Sequence, residues 1–139
     1  MSAFSRVDQA MAAAAAGLLP ERISRELRPR YRQLPVMIRT AGLAATYAFL
    51  LAKANGKDST ELSRAYRQVA DGIRKHLASR KLLPDDRADL TNEKLLTWMG
   101  EANLADYTRA AAEVEALARW LSRLAEATYR LPEQDQKEA

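Results

Sequence analysis

The chain has 139 residues, with 22 lysines and arginines against 18 aspartates and glutamates, a net charge of +4, and no cysteine. This length can bury one core without covalent staples, and the lack of cysteine excludes disulfides and thiolate metal sites. The charge is uneven, because residues 1–84 carry 15 basic and 6 acidic side chains, while residues 85–139 carry 7 and 12. This asymmetry predicts a basic surface for a polyanion, unless the two halves interleave in space and leave an ordinary charged helical surface.

The first third of the chain predicts two helical segments. Apolar side chains at three- and four-residue steps indicate an amphipathic helix from about Ser5 to Ala16, closed by Gly17. A second segment, PERISRELRPRYRQ, is rich in arginine. We expect Pro29 to kink or split this segment, because proline removes a helical hydrogen bond and clashes with the preceding turn.

The most apolar stretch, LPVMIRTAGLAATYAFLLAKA, follows directly. Pro35 suits the first turn of a helix, and apolar residues cover most of the circumference after it. The stretch therefore predicts a central helix over residues 35–54, with almost no solvent-exposed face and with the other helices around it. Gly42 among alanines predicts a close contact with another helix. The stretch is too short and too rich in alanine for a membrane span.

The second half of the chain predicts three more helices. Asp58, with Glu61 three residues later, is typical of a helix N-cap, and a helix with a basic outer face follows to about residue 81. Thr91 predicts the cap of a short helix over residues 92–99. Asn103 predicts the cap of the longest helix, which extends to about Tyr129.

No stretch alternates as a half-buried strand does, so the prediction is an all-α fold: a single compact bundle of about five to six helices. We expect one helical domain over residues 1–139, with residues 130–139 as a disordered tail. The N-terminus lacks the features of a signal peptide, which indicates a cytoplasmic protein.

Few residues offer catalytic or metal chemistry. Asp85, Asp86 and Asp89 match the D-D-x-x-D pattern of helical isoprenoid synthases, where carboxylates hold Mg²⁺, but they follow Pro84 in a linker without a second acidic motif. His76 is the only histidine, and we expect it to be a partly exposed surface residue, with contact to a phosphate as the functional alternative. The sequence predicts no catalytic residue, no metal site and no cofactor.

Basic residues cluster instead, and arginine dominates. Its planar guanidinium matches phosphate oxygens better than an ammonium does, so the cluster predicts binding to a polyanion backbone without base reading. Arg25, Arg28, Arg32 and Arg39 are separated by three, four and seven residues, so an uninterrupted helix would place them in one row. Most aromatic residues fit core positions, but Tyr31 between two arginines remains a candidate for base stacking.

Two regions carry a resemblance to a known family. The order Leu-Pro, Met-Ile, Gly-Leu and Thr-x-Ala-Phe within residues 34–53 resembles the small Cmr-type subunit of type III-B CRISPR effector complexes. The region TNEKLLTWMGEANLADYTRAAAEVEALARWLSRLAEA resembles that family's closing region, at Tyr107-x-x-Ala110, Glu115-Ala116 and Trp120-Leu121. Ala41 departs from the family pattern, which often has asparagine there.

The resemblance implies a helical bundle without catalytic activity of its own. Several copies would stack as a short filament along guide RNA and target RNA, beside the backbone subunits that cleave the target. The resemblance then implies an RNA-facing side. The predicted RNA-binding residues on it are Arg25, Arg28, Arg32, Arg39, Lys57, Arg64, Arg67, Arg74 and Lys75. Two alternatives remain open: a helical adaptor that binds only protein, and a small metal-dependent enzyme built on Asp85, Asp86 and Asp89.

Overall fold

The computed structural model describes residues 3–55, 60–83 and 90–129. All regular structure in these ranges is helical, which confirms the predicted all-α class. The helices are α1 (Ala3–Ala16), α2 (Leu27–Ala41), α3 (Leu43–Ala54), α4 (Glu61–Ser79), α5 (Asn92–Glu101) and α6 (Leu104–Thr128). The expected tail over residues 130–139 lies outside the described ranges. None of the described helices is long and apolar enough to cross a membrane.

The prediction of one central helix over residues 35–54 is wrong. Residues 27–41 and 43–54 form separate helices, and Gly42 between them has φ 97° and ψ 162°. Glycine adopts this backbone conformation readily, whereas a residue with a side chain is strained in it. The chain therefore turns at Gly42 instead of continuing as one helix. The stretch also has a solvent-exposed face, since Ala45, Ala48 and Ala52 of α3 are exposed.

Helix α6 has the central position that the sequence analysis gave to residues 35–54. It packs against α1, α2 and α4, while α3 packs against α2, α4 and α5. The buried side chains form one cluster to which all six helices contribute, including Tyr47, Leu50, Leu77 and Leu117. The longest helix is therefore the axis, because its apolar face is long enough to serve several partners.

The two prolines of α2 have the reverse of their predicted effects. Pro29 is the third residue of α2, in the first turn, where backbone N–H groups have no intrahelical acceptor, so it does not split the helix. Pro35, expected in a first turn, lies inside α2 and is buried. Ser24, three residues before the helix, accepts the N–H of Leu27 through its Oγ at 3.1 Å and so pairs the first backbone donor of α2.

Side-chain caps fix the starts of the later helices. The predicted caps Thr91 and Asn103 are confirmed, since they accept the N–H groups of Lys94 at 3.1 Å and Asp106 at 2.8 Å. The N-cap of α4 is Thr60, which accepts the N–H of Ser63 at 3.1 Å. The prediction of Asp58 as this cap is wrong for that reason; Asp58 itself lies outside the described residues.

Candidate nucleic-acid interface

Two arginines of α2 surround one carboxylate of α6. Arg28 donates through Nε and Nη2 to the two oxygens of Glu126 at 2.6 and 2.7 Å, and Arg32 Nη2 donates to Glu126 Oε1 at 3.0 Å. The side chains of Arg28 and Arg32 keep 36% and 57% of their surface exposed. We call these three residues the Glu126 clamp; its carboxylate is held by a guanidinium fork on the surface of the protein.

The electrostatics of the Glu126 clamp follow from this geometry. Hydrogen bonds from Arg28, with the charges of Arg28 and Arg32, lower the pKa of Glu126 to about 2. The hydrogen bond to Glu126 raises the pKa of Arg28. The guanidinium carbon of Arg28 also lies 4.4 Å from the centre of the Tyr129 ring, a cation–π distance. Arg28 and Glu126 are therefore both charged at neutral pH.

A second cluster lies further along the same two helices. Arg39 Nε of α2 is 3.0 Å and Arg119 Nη2 of α6 is 3.3 Å from Glu115 Oε1. These contacts are ion pairs without hydrogen-bond geometry, since Glu115 Oε1 is buried without a hydrogen-bond partner and Arg39 Nε donates to the Pro35 carbonyl at 3.5 Å. We call Arg39, Arg119 and Glu115 the Glu115 clamp; it is held more loosely than the Glu126 clamp.

The predicted arginines of α2 thus come together in one row. Arg28, Arg32 and Arg39 are separated by four and seven residues, which places them on one face of an uninterrupted helix. Arg25 precedes α2 and does not belong to its helical register. The structure therefore preserves the predicted row for three of its four arginines.

The predicted residues of α4 lie at different junctions. Arg67 Nη2 donates to the carbonyl of Ala54 at 2.8 Å and so caps the C-terminus of α3. Arg74 Nη1 donates to Asn92 Oδ1 of α5 at 2.8 Å, the same oxygen that accepts the hydroxyl of Tyr47. These two arginines join α4 to α3 and α5, whereas the row on α2 contacts α6.

Three predicted cations remain: Arg64, Lys75 and Lys57. Arg64 and Lys75 are exposed on α4 and have no ion pair with another described residue. Lys57 lies outside the described residues. The nine predicted residues therefore do not form one group in the structure, and their contact with RNA stays a prediction.

A family model for CRISPR-associated proteins, Cas_Cmr5, matches residues 3–128. The chain belongs to this family. Its resemblance to the small subunit of type III-B CRISPR complexes, drawn from residues 34–53 and 91–127, is thereby confirmed. Searches of curated proteins and of solved structures gave no match. Membership of the Cmr5 family makes the chain a CRISPR-associated subunit of a Cmr complex.

Two expectations for single residues of this Cmr5-family chain have different outcomes, and the one for Tyr31 is wrong. His76 has intermediate exposure, as expected of a partly exposed residue, although its side chain is only 8% exposed. Its Nε2 lies 3.1 Å from Glu113 Oε1, which also accepts from Arg80 Nε at 2.7 Å. Tyr31 was a candidate for base stacking, but it is 2% exposed, and burial raises the pKa of its hydroxyl to about 12. The apolar periodicity of the sequence places Tyr31 in the core.

No cluster of metal-ligating side chains occurs among the residues that the structure describes. Asp85, Asp86 and Asp89 lie outside the described residues, so the aspartate-rich motif is not part of the described surface.

The sequence analysis missed the acidic members of both clamps. Glu126 is 98 positions from Arg28 in the chain, and no local pattern connects them. Only one signal was available: Glu115 and Arg119 are four residues apart on a predicted helix, a spacing that favours ion pairs.

Proposed function

We propose that this Cmr5-family chain is a non-catalytic small subunit that binds the RNA backbone within a type III-B CRISPR complex. In this proposal several copies stack along guide RNA and target RNA. They contact one another and the protein subunits that form the backbone of the complex, called the backbone subunits. Target cleavage belongs to the backbone subunits. The proposal includes contacts to phosphates without contacts to bases, so binding is independent of sequence and weakens as salt rises.

The observation that carries the proposal is the exposed arginine row of α2. Arg28, Arg32 and Arg39 lie on one helical face, and each keeps more than a third of its side-chain surface exposed. Guanidinium forks bind phosphate oxygens in pairs, and a row of them follows a polyanion better than scattered charges do. The family match supports the assignment, because it identifies the chain as CRISPR-associated.

A second candidate function is favoured by a specific observation: the arginines of the row already have carboxylate partners on α6. In a helical adaptor that binds only protein, these arginines would have no role beyond their ion pairs with α6. The two functions differ in their response to loss of the arginine charges.

The test compares charge-matched triple variants in a complex assembled from this chain, its backbone subunits and a guide RNA. One variant carries Arg28→Gln, Arg32→Gln and Arg39→Gln; the control carries Lys53→Gln, Lys81→Gln and Lys94→Gln, which lie outside α2 and α6. Copies of the chain per complex and RNA retained across a salt series are measured.

We expect several copies of the wild-type chain per complex. The α2 variant should lose RNA at lower salt than both the wild-type protein and the control, because fewer cations meet phosphates. Equal retention by all three assembled complexes would instead support the adaptor and contradict the proposed RNA contact.

A further inference from the structure

The two clamps have a matching register, although only the Glu126 clamp has hydrogen bonds between guanidinium and carboxylate. Each places guanidinium groups around one carboxylate of α6, and the pairs Arg28–Glu126 and Arg39–Glu115 are 11 residues apart on both helices, which run antiparallel. At about 1.5 Å per residue, the two carboxylates are roughly 16 Å apart along the seam. Four guanidinium groups around two carboxylates leave a net charge of +2 on this seam.

The carboxylate of Glu126 is bound as a phosphodiester group would be. Both groups present two oxygens that share negative charge, and both bind an arginine fork through two parallel hydrogen bonds. Glu126 receives this fork from Arg28 and a further bond from Arg32. Its 45% exposed side chain leaves the clamp open to solvent and to exchange.

We propose that Glu126 occupies the position that a backbone phosphate of the RNA takes in the bound state, so that α6 masks Arg28 and Arg32 of the arginine row in the free chain. This inference rests on the proposed function and adds its regulation. The ion pairs of Glu126 are exposed, and exposed ion pairs contribute little stability, so a polyanion that releases its counterions can displace this carboxylate. RNA binding then includes an exchange of partners: Arg28 and Arg32 release the glutamate and donate hydrogen bonds to a phosphate.

The masking predicts that loss of a carboxylate strengthens binding. In Glu126→Gln the amide is neutral, so Arg28 and Arg32 meet a phosphate without competition from a charge. We expect the affinity for RNA to rise about two- to five-fold at low salt, the range that the strength of an exposed ion pair allows. We expect a smaller gain from Glu115→Gln, because the Glu115 side chain is only 18% exposed and its Oε1 is buried.

The experiment measures binding of the isolated full-length chain to a fluorescently labelled single-stranded RNA by anisotropy, across a salt series. The control is Glu101→Gln, which removes the same charge from an exposed position on α5. A further comparison adds Glu126→Gln to a protein that already carries Arg28→Gln and Arg32→Gln. In that background we expect no gain, because the guanidinium groups that the carboxylate masks are gone.

The outcomes separate the masking from the proposed function. If wild-type protein binds RNA and Glu126→Gln binds no better than Glu101→Gln, the masking is overturned and the RNA contact stands. A gain that persists without Arg28 and Arg32 also overturns the masking, because it then reflects net charge alone. If none of the proteins binds RNA at low salt, the proposed function fails, and the masking fails with it. Binding by Glu126→Gln above both references supports the masking.

Discussion

The hydroxyl groups of two tyrosines are expected to have opposite effects on stability, because only one of them has a hydrogen-bond partner. The hydroxyl of Tyr107 accepts the N–H of Ala44 at 2.9 Å and so satisfies a backbone donor in the first turn of α3. The hydroxyl of Tyr31 is buried without a hydrogen-bond partner, among side chains that include Leu34, Leu62 and Val69. A paired hydroxyl stabilises a fold, whereas an unpaired buried one costs the free energy of its lost hydration.

Matched substitutions test this difference. Tyr107→Phe leaves the Ala44 N–H without its acceptor, and we expect the free energy of unfolding to fall by about 1 kcal/mol. Tyr31→Phe removes an unpaired polar atom from the core, so it should leave stability unchanged or raise it. Urea unfolding followed by circular dichroism measures both. An equal loss in the two variants would contradict the assigned hydrogen bonding.

At the scale of elements, the break between α2 and α3 decides how the most apolar stretch is used. Because the chain turns at Gly42, α2 packs against α6 while α3 packs against α4 and α5. Tyr107 of α6 contacts the break from the other side through Ala44. One uninterrupted helix could not serve these partners in the same way, so the glycine sets the arrangement of the bundle.

Glycine-to-alanine substitutions at two positions test the role of this break. A Cβ at Gly42 would lie 3.6 Å from the Tyr107 hydroxyl, an ordinary contact, so the cost of Gly42→Ala is backbone strain at φ 97°. We expect a loss of about 1–3 kcal/mol.

Gly100→Ala is the matched control, because Gly100 lies inside α5 and nothing is within 4 Å of its Cβ position. This variant should gain roughly 0.5–1 kcal/mol from the higher helix propensity of alanine. Thermal and urea unfolding compare the two. Equal stability of Gly42→Ala and the wild-type protein would show that the turn tolerates a side chain.

At the scale of the whole molecule, the described helices share one core. Leu117 of α6 is fully buried and lines a small cavity with Leu34 of α2, Leu50 of α3 and Ile73 of α4. A change at Leu117 therefore alters the cavity wall that α6 shares with three other helices. We therefore expect these helices to lose structure together when the core is weakened.

Leu117→Ala tests this shared core, with Leu104→Ala as its control. The first should cost about 2–5 kcal/mol, through lost burial and the cavity left behind. Leu104 is 80% exposed at the start of α6, so its truncation should change stability by less than about 0.5 kcal/mol.

Tryptophan fluorescence reports on α5 and α6 through Trp98 and Trp120, and far-ultraviolet circular dichroism reports on all helices. We expect both signals to give one midpoint in Leu117→Ala. Two separate midpoints would show that part of the bundle unfolds independently of Leu117.

The sequence by itself determined the helical class, the caps at Thr91 and Asn103, and the family. These features depend on local spacing: side chains three and four residues apart share a helix face, and a capping residue bonds to the turn beside it. The arginine row of α2 was also predictable, once Pro29 is understood to lie in a first turn.

Only the tertiary structure decided where the apolar stretch breaks and what faces the arginines. From sequence alone, a glycine inside an apolar run is compatible both with a close helix contact and with a turn. In the structure the chain turns at this glycine, and the Ala44 N–H beside it donates to Tyr107 of α6. The partners of Arg28 and Arg39 lie on α6, far along the chain, because the antiparallel packing of α2 on α6 brings them together. Pairings at such sequence distances have no local pattern, so the packing of the helices decided them.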